Sequence, residues 1–118
     1  RYEMVGDSSF IADAPESFTI SAMHRYQVTV KPDNASVFAE SDFCEYAGLV
    51  YGSNILTFQA HPEFNLQYED ALVDLRKGTA IPDETADAGL ATLRQAGAAT
   101  DSIEVAHWMA DFLTRKAV

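Results

Sequence analysis

One cysteine, Cys44, cannot form an internal disulfide, and with three scattered histidines it offers no metal-ligand spacing, so neither a metal nor another cofactor is expected. Basic residues are scarce, eight against eighteen acidic, and the formal charge of −10 repels phosphate backbones and anionic lipids. Nucleic-acid and membrane partners are therefore not expected. No apolar run approaches the length of a membrane span, and no charged-then-apolar leader opens the chain, which leaves the cytoplasm as the expected location. Nor is there an initiator methionine. The chain starts at Arg1, directly in strand-like sequence to Val5, as a portion of a longer polypeptide would.

What is present suffices for a core. Hydrophobic residues make up 47% of 118, enough for one domain or part of one. Asp7 to Ser17 reads as a loop or short helix. Phe18 to Ala22 and Tyr26 to Val30 alternate apolar and polar residues, so each is expected as a half-buried strand. Lys31-Pro32-Asp33-Asn34 is turn sequence, and Val37 to Glu40 a short strand. Tyr46 to Tyr51 and Ile55 to Ala60 form an expected antiparallel hairpin across Gly52-Ser53-Asn54. The period then becomes helical. Asn65 is placed to cap a helix from Leu66 to about Lys77, with Tyr68, Leu72 and Leu75 as its stripe and Gly78 as its stop. Pro82, Asp83 and Glu84 open a second helix towards Gln95, stopped by Gly97. Asp101 and Glu104 have the spacing of a capping box for a third, whose apolar face is Ile103, Ala106, Met109 and Leu113 with Val105 and Phe112. Strands are thus expected over about 1–61 and helices over about 65–117.

The stretch that organises the rest is Ile55 to Phe64. An apolar, β-branched run ending in His61-Pro62-Glu63 reads as a strand that delivers two polar side chains at its carboxyl end, where sites usually lie. Pro62 stops the ladder and biases His61 towards an extended backbone. Residues two apart then point to one side, roughly 6 to 7 Å between Cα atoms, within reach of a carboxylate–imidazole hydrogen bond. Such a pair is the base and orienter of a nucleophilic triad whose Ser or Cys comes from elsewhere.

Phe58-Gln59-Ala60-His61-Pro62-Glu63-Phe64 resembles the catalytic His-Pro-Glu segment of class I glutamine amidotransferases. Ser41-Asp42-Phe43-Cys44-Glu45-Tyr46-Ala47 and Tyr51-Gly52 resemble that family's run-up to it, most closely in stand-alone enzymes similar to the amidotransferase domain of GMP synthase. The resemblance runs from about Phe18 to about Leu75. It implies an α/β fold: the carboxyl-terminal part of a flavodoxin-like amidotransferase domain, spanning 1–118 as a small, mostly antiparallel sheet followed by about three helices. It further implies that an amino-terminal half, carrying a Gly-x-Cys-x-Gly nucleophile elbow, lies outside this sequence.

By the same resemblance, His61 and Glu63 belong to a Cys-His-Glu triad that hydrolyses the glutamine side-chain amide to glutamate and ammonia. His61 draws the thiol proton and passes it to the leaving ammonia. This chain supplies no nucleophile and is not expected to act alone. The expected partners are glutamine or another γ-glutamyl compound, the other half of the domain, a synthase or other ammonia acceptor, and a second copy at the exposed sheet edge. His24 falls where the family has a His over the glutamine pocket, which makes it a substrate-binding candidate. Tyr26 replaces the acid that follows in the family, which keeps open a different γ-glutamyl amide as substrate. A catalytically silent binding module is the third reading. Cys44 lacks flanking glycines and has acidic neighbours, so it is expected to pack rather than react. His107, Trp108, Met109 and Phe112 are likewise expected to pack or lie on a helix surface.

Overall fold

A computed structural model describes residues 1–115; the last two positions of the expected helical region, 116 and 117, lie outside the described residues. Five strands, β1 (Tyr2–Met4), β2 (Ser17–Phe18), β3 (Ser36–Ser41), β4 (Cys44–Tyr51) and β5 (Ile55–Phe58), precede three helices, α1 (Leu66–Arg76), α2 (Asp83–Leu93) and α3 (Ser102–Thr114). The strands form one sheet in the order β2-β1-β3-β4-β5, and every pairing is antiparallel. The fold is α/β, as expected.

The β4–β5 hairpin forms where the alternation placed it. Tyr51 pairs with Ile55, and Gly52, at φ +56°, supplies the left-handed residue that a tight three-residue loop requires. Its partner on the other side, β3, joins β4 across Asp42-Phe43. Phe38 on β3 is fully buried, with Phe10 and Phe58 packed edge-on to it at 5.2 and 5.4 Å between ring centroids. That ring sits on Gly48. A Cβ at this position would lie 2.6 Å from the Phe38 ring, so the close approach of strand and ring depends on glycine. Around Phe38 the core continues through Tyr2, Phe18, Ala47, Val50 and the α3 residues Val105 and Phe112.

The expected strand at Tyr26 to Val30 does not form. Tyr26 and Val30 are each 81% exposed, and the segment is irregular. Alternation marks a strand only where a neighbouring backbone completes the ladder, and here the backbone meets side chains instead: the Val28 N–H donates to the Gln59 side chain at 2.9 Å and the Tyr26 carbonyl lies 3.1 Å from His24 Nδ1. The expected strand Phe18 to Ala22 is shorter than its pattern. It pairs only at Ser17–Phe18 and then at an isolated bridge between Ser21 and His61.

Helix positions match the caps, but two faces are turned. Asn65 caps α1 by accepting from the Tyr68 N–H at 2.7 Å. The buried residues of α1 are Glu69 and Val73, while Tyr68 and Leu75 of the expected stripe face outward. The reason is the partner: α1 packs on α2 through Val73 against Ala86 and Leu90, a small core separate from the sheet. The bidentate Arg94–Asp70 pair fastens the same two helices from outside. On α3 the inward face is Val105, Trp108, Met109 and Phe112, and Ile103 and Leu113 are exposed. The capping box is not formed. Asp101 instead reaches back to the residue after β2, accepting from the Thr19 N–H and donating its own N–H to the Thr19 carbonyl, both at 2.7 Å. These two bonds fix the start of α3 against the segment that leads to the candidate site.

Candidate active site

β5 ends at Phe58, earlier than Pro62 would require, and His61 follows as an isolated antiparallel bridge to Ser21. The His61 N–H donates to the Ser21 carbonyl at 2.7 Å, which ties the strand end to the segment after β2. His61 Nδ1 then lies 2.6 Å from Glu63 Oε1. The i, i+2 pairing therefore closes locally, with no help from another element. Phe64 adds a constraint that the pattern did not reveal: its ring stacks on the imidazole at 4.3 Å with a 7° interplanar angle. Ring plane and ring rotation are both fixed, the first by stacking and the second by the carboxylate.

The other ring nitrogen, Nε2, faces the Met23 carbonyl at 3.1 Å. A neutral imidazole donates to only one of these two acceptors. Glu63 is charged and closer, and charge-assisted hydrogen bonds are roughly twice as strong as neutral ones, so the proton belongs on Nδ1. Burial pushes the Glu63 carboxyl upward, but the His61 hydrogen bond, a backbone hydrogen bond and the imidazole charge together outweigh it and hold the group below its ordinary value. The His61 side chain is 35% exposed and that of Glu63 63% exposed, so the pair lies at the surface and is open to a partner.

Cys44 is not brought to this pair. Its side chain is buried within the sheet core, and burial pushes the thiol up, away from thiolate. Desolvation rather than the neighbouring carboxylates is the cause. His24 is exposed, with Nδ1 3.1 Å from the Tyr26 carbonyl, and it has no hydrogen bond to His61 or Glu63. It does line a cleft of about 1000 Å³ between the Thr19–Arg25 segment, α1, α2 and the loop before α3. Neither His61 nor Glu63 lines this cleft, yet Ser21 and Met23, which hold His61, form part of its wall. Among the described residues there is no group of three or more His, Cys, Asp or Glu that could hold a metal ion.

The family model of class I glutamine amidotransferases matches residues 3–74, more than half of the chain. The chain belongs to the class I glutamine amidotransferase family. A relative, gamma-glutamyl peptidase 2 of Arabidopsis thaliana, is 34% identical over 62 residues, covering 52% of this chain and 25% of that protein. The chain thus spans about a quarter of this relative's length. No solved structure matches it closely enough to count. The family match contains β2 to β5, all of β1 but Tyr2, the His-Pro-Glu segment and most of α1. It leaves α2 and α3 outside. No helix among the described residues is long and apolar enough to cross a membrane.

Proposed function

We propose that this amidotransferase-family chain supplies the base and its orienting carboxylate to a Cys-His-Glu triad that hydrolyses a γ-glutamyl amide, with glutamine as the first substrate. The observation that carries this reading is the 2.6 Å His61–Glu63 contact on a surface-accessible, ring-stacked imidazole. Glu63 holds the proton on Nδ1, which leaves Nε2 with the lone pair that a base needs. A cysteine outside these residues, in the other half of the domain, is the nucleophile. Nε2 removes its proton, the thiolate attacks the amide carbon, and the same nitrogen protonates the departing amine. Water then cleaves the γ-glutamyl thioester. For this sequence of steps the Met23 carbonyl must give way, because it occupies the direction in which Nε2 would meet sulfur.

A second substrate reading has its own support. Tyr26 is exposed and stands where the resembling family has an acid, His24 pairs with the Tyr26 backbone carbonyl, and the curated relative is a gamma-glutamyl peptidase. These favour a γ-glutamyl amide whose leaving amine is larger than ammonia. Assay of the protein with its complete domain against glutamine and a panel of γ-glutamyl dipeptides, by glutamate release, separates the two. His61→Ala should remove activity on every member of the panel while leaving the unfolding midpoint close to that of the parent. Full activity in that variant would end the triad reading, including its γ-glutamyl form, and no activity in the parent on any member of the panel would leave a binding module.

A further inference from the structure

Tyr68 is 52% exposed and takes no part in the small core through which α1 packs on α2. Its ring lies instead against Phe64, at 4.8 Å between centroids with a 58° tilt. Phe64 in turn lies flat on His61, at 4.3 Å and 7°. Three rings therefore form one continuous stack, from the candidate base to the first turn of a helix.

The stack is anchored in backbone. Asn65 caps α1 through the Tyr68 N–H at 2.7 Å, so the residue that carries the last ring is fixed at the helix start. The Phe64 N–H donates to the His61 carbonyl at 3.2 Å, which closes the turn between the strand end and the helix. The Ser102 hydroxyl, at the start of α3, reaches the Phe64 carbonyl at 3.4 Å and is itself joined to the Thr100 hydroxyl at 2.9 Å. Phe64 thus sits where the strand end, α1 and α3 meet.

What the stack adds follows from imidazole geometry. The outer side-chain torsion of a histidine is broad rather than staggered, so the ring needs a hold from outside. A hydrogen bond at Nδ1 sets where one corner points, but it allows the ring to tilt about the line from nitrogen to oxygen. A flat aromatic contact removes that tilt. Because it occupies the ring face, it competes for neither nitrogen, and both hydrogen bonding and proton transfer take place in the ring plane.

We propose that Phe64 and Tyr68 are positioning residues for His61: Phe64 sets the plane of the imidazole, and Tyr68 holds Phe64 in place. Resting on the base role proposed above, they keep Nε2 aligned for the thiol proton without touching substrate. Neither ring takes up or gives up a proton in the reaction.

Steady-state kinetics of the protein with its complete domain, on whichever γ-glutamyl amide it cleaves, test the proposal. Phe64→Leu keeps an apolar side chain but loses the stack, and should lower kcat by roughly 10- to 100-fold at nearly constant KM, the upper figure being what about 1 Å of misplacement can cost. Tyr68→Ala should lower kcat by roughly 2- to 10-fold, the factor that one aromatic pair represents, and Tyr68→Phe, which keeps the ring, should restore it. Both Tyr68 variants should unfold close to the parent's midpoint, since the side chain is half-exposed. Proton NMR needs no turnover: the carbon-bound ring protons of His61 should resonate upfield, as protons over an aromatic face do, and move downfield in Phe64→Leu. A rise in KM with kcat unchanged would make the rings a substrate contact and overturn the proposal, as would an unaltered kcat in Phe64→Leu or His61 ring protons that do not move. Upfield protons that respond to Phe64→Leu, in a protein that hydrolyses nothing or whose His61→Ala variant stays active, would refute the base role and leave the stack standing.

Discussion

Two stretches of this chain carry the same alternating code and meet different fates. Ile55 to Phe58 finds β4 beside it, pairs from Tyr51–Ile55 to Gly48–Phe58, and leads within three residues to a histidine whose geometry is fixed on three sides. Tyr26 to Val30 finds no neighbouring strand and lies exposed. Periodicity describes which face a strand would bury; whether a ladder exists to receive it depends on residues distant in sequence. The candidate catalytic pair stands on the stretch with the partner. The Met23 carbonyl that covers it lies just before the exposed stretch, two residues after the buried Ser21 that is tied to the His61 N–H.

Substitutions can sharpen this contrast. Phe38→Ala, in the core beneath β4 and β5, should cost about 3–5 kcal/mol in urea unfolding, because a fully buried ring leaves a cavity. Gly48→Ala should cost about 1–3 kcal/mol by the same measurement, since the added carbon meets the Phe38 ring and one of the two must move. Val30→Ser, at a position the alternation assigns to a buried face, should change stability by less than about 0.5 kcal/mol. A cost for Val30→Ser comparable to that for Gly48→Ala would show that the second stretch is packed after all.

The smallest effect is in pH dependence. The folded Glu63 carboxyl is held below its ordinary value, so the pair contributes stability above the unfolded group's range, near pH 4.3, and loses it as pH falls through the folded value. Glu63→Gln should therefore flatten the acid limb of the stability profile and leave the neutral region nearly unchanged. An unaltered acid limb would mean that the contact contributes nothing in solution.

Much of the fold was legible for local reasons. The β4–β5 hairpin, the Asn65 cap and the helix starts near Pro82 and Asp101 depend on turn chemistry and neighbours close in sequence. Helix faces were less legible, because several apolar stripes compete on one helix and the packing partner chooses. On α1 the partner is α2, which selects Val73 over Tyr68 and Leu75; on α3 it is the sheet, which selects Val105 and Phe112 over Ile103 and Leu113. At the site, the His61–Glu63 pairing followed from i, i+2 spacing beside a proline. Met23 and Ser21 did not, since they act through backbone carbonyls that any residue carries. Phe64 stood in the motif throughout, but an aromatic three residues from a histidine stacks only if the turn between them closes, as the Phe64 N–H bond to the His61 carbonyl lets it do.

The most direct test of the central claim is the protonation pattern of one ring. Long-range nitrogen–proton NMR of the ¹⁵N-histidine-labelled protein at mildly basic pH should show His61 with its proton on Nδ1 and a bare Nε2, and Glu63→Gln should weaken that preference. A proton resident on Nε2, donated to the Met23 carbonyl and indifferent to Glu63, would contradict the assignment of His61 as an oriented base.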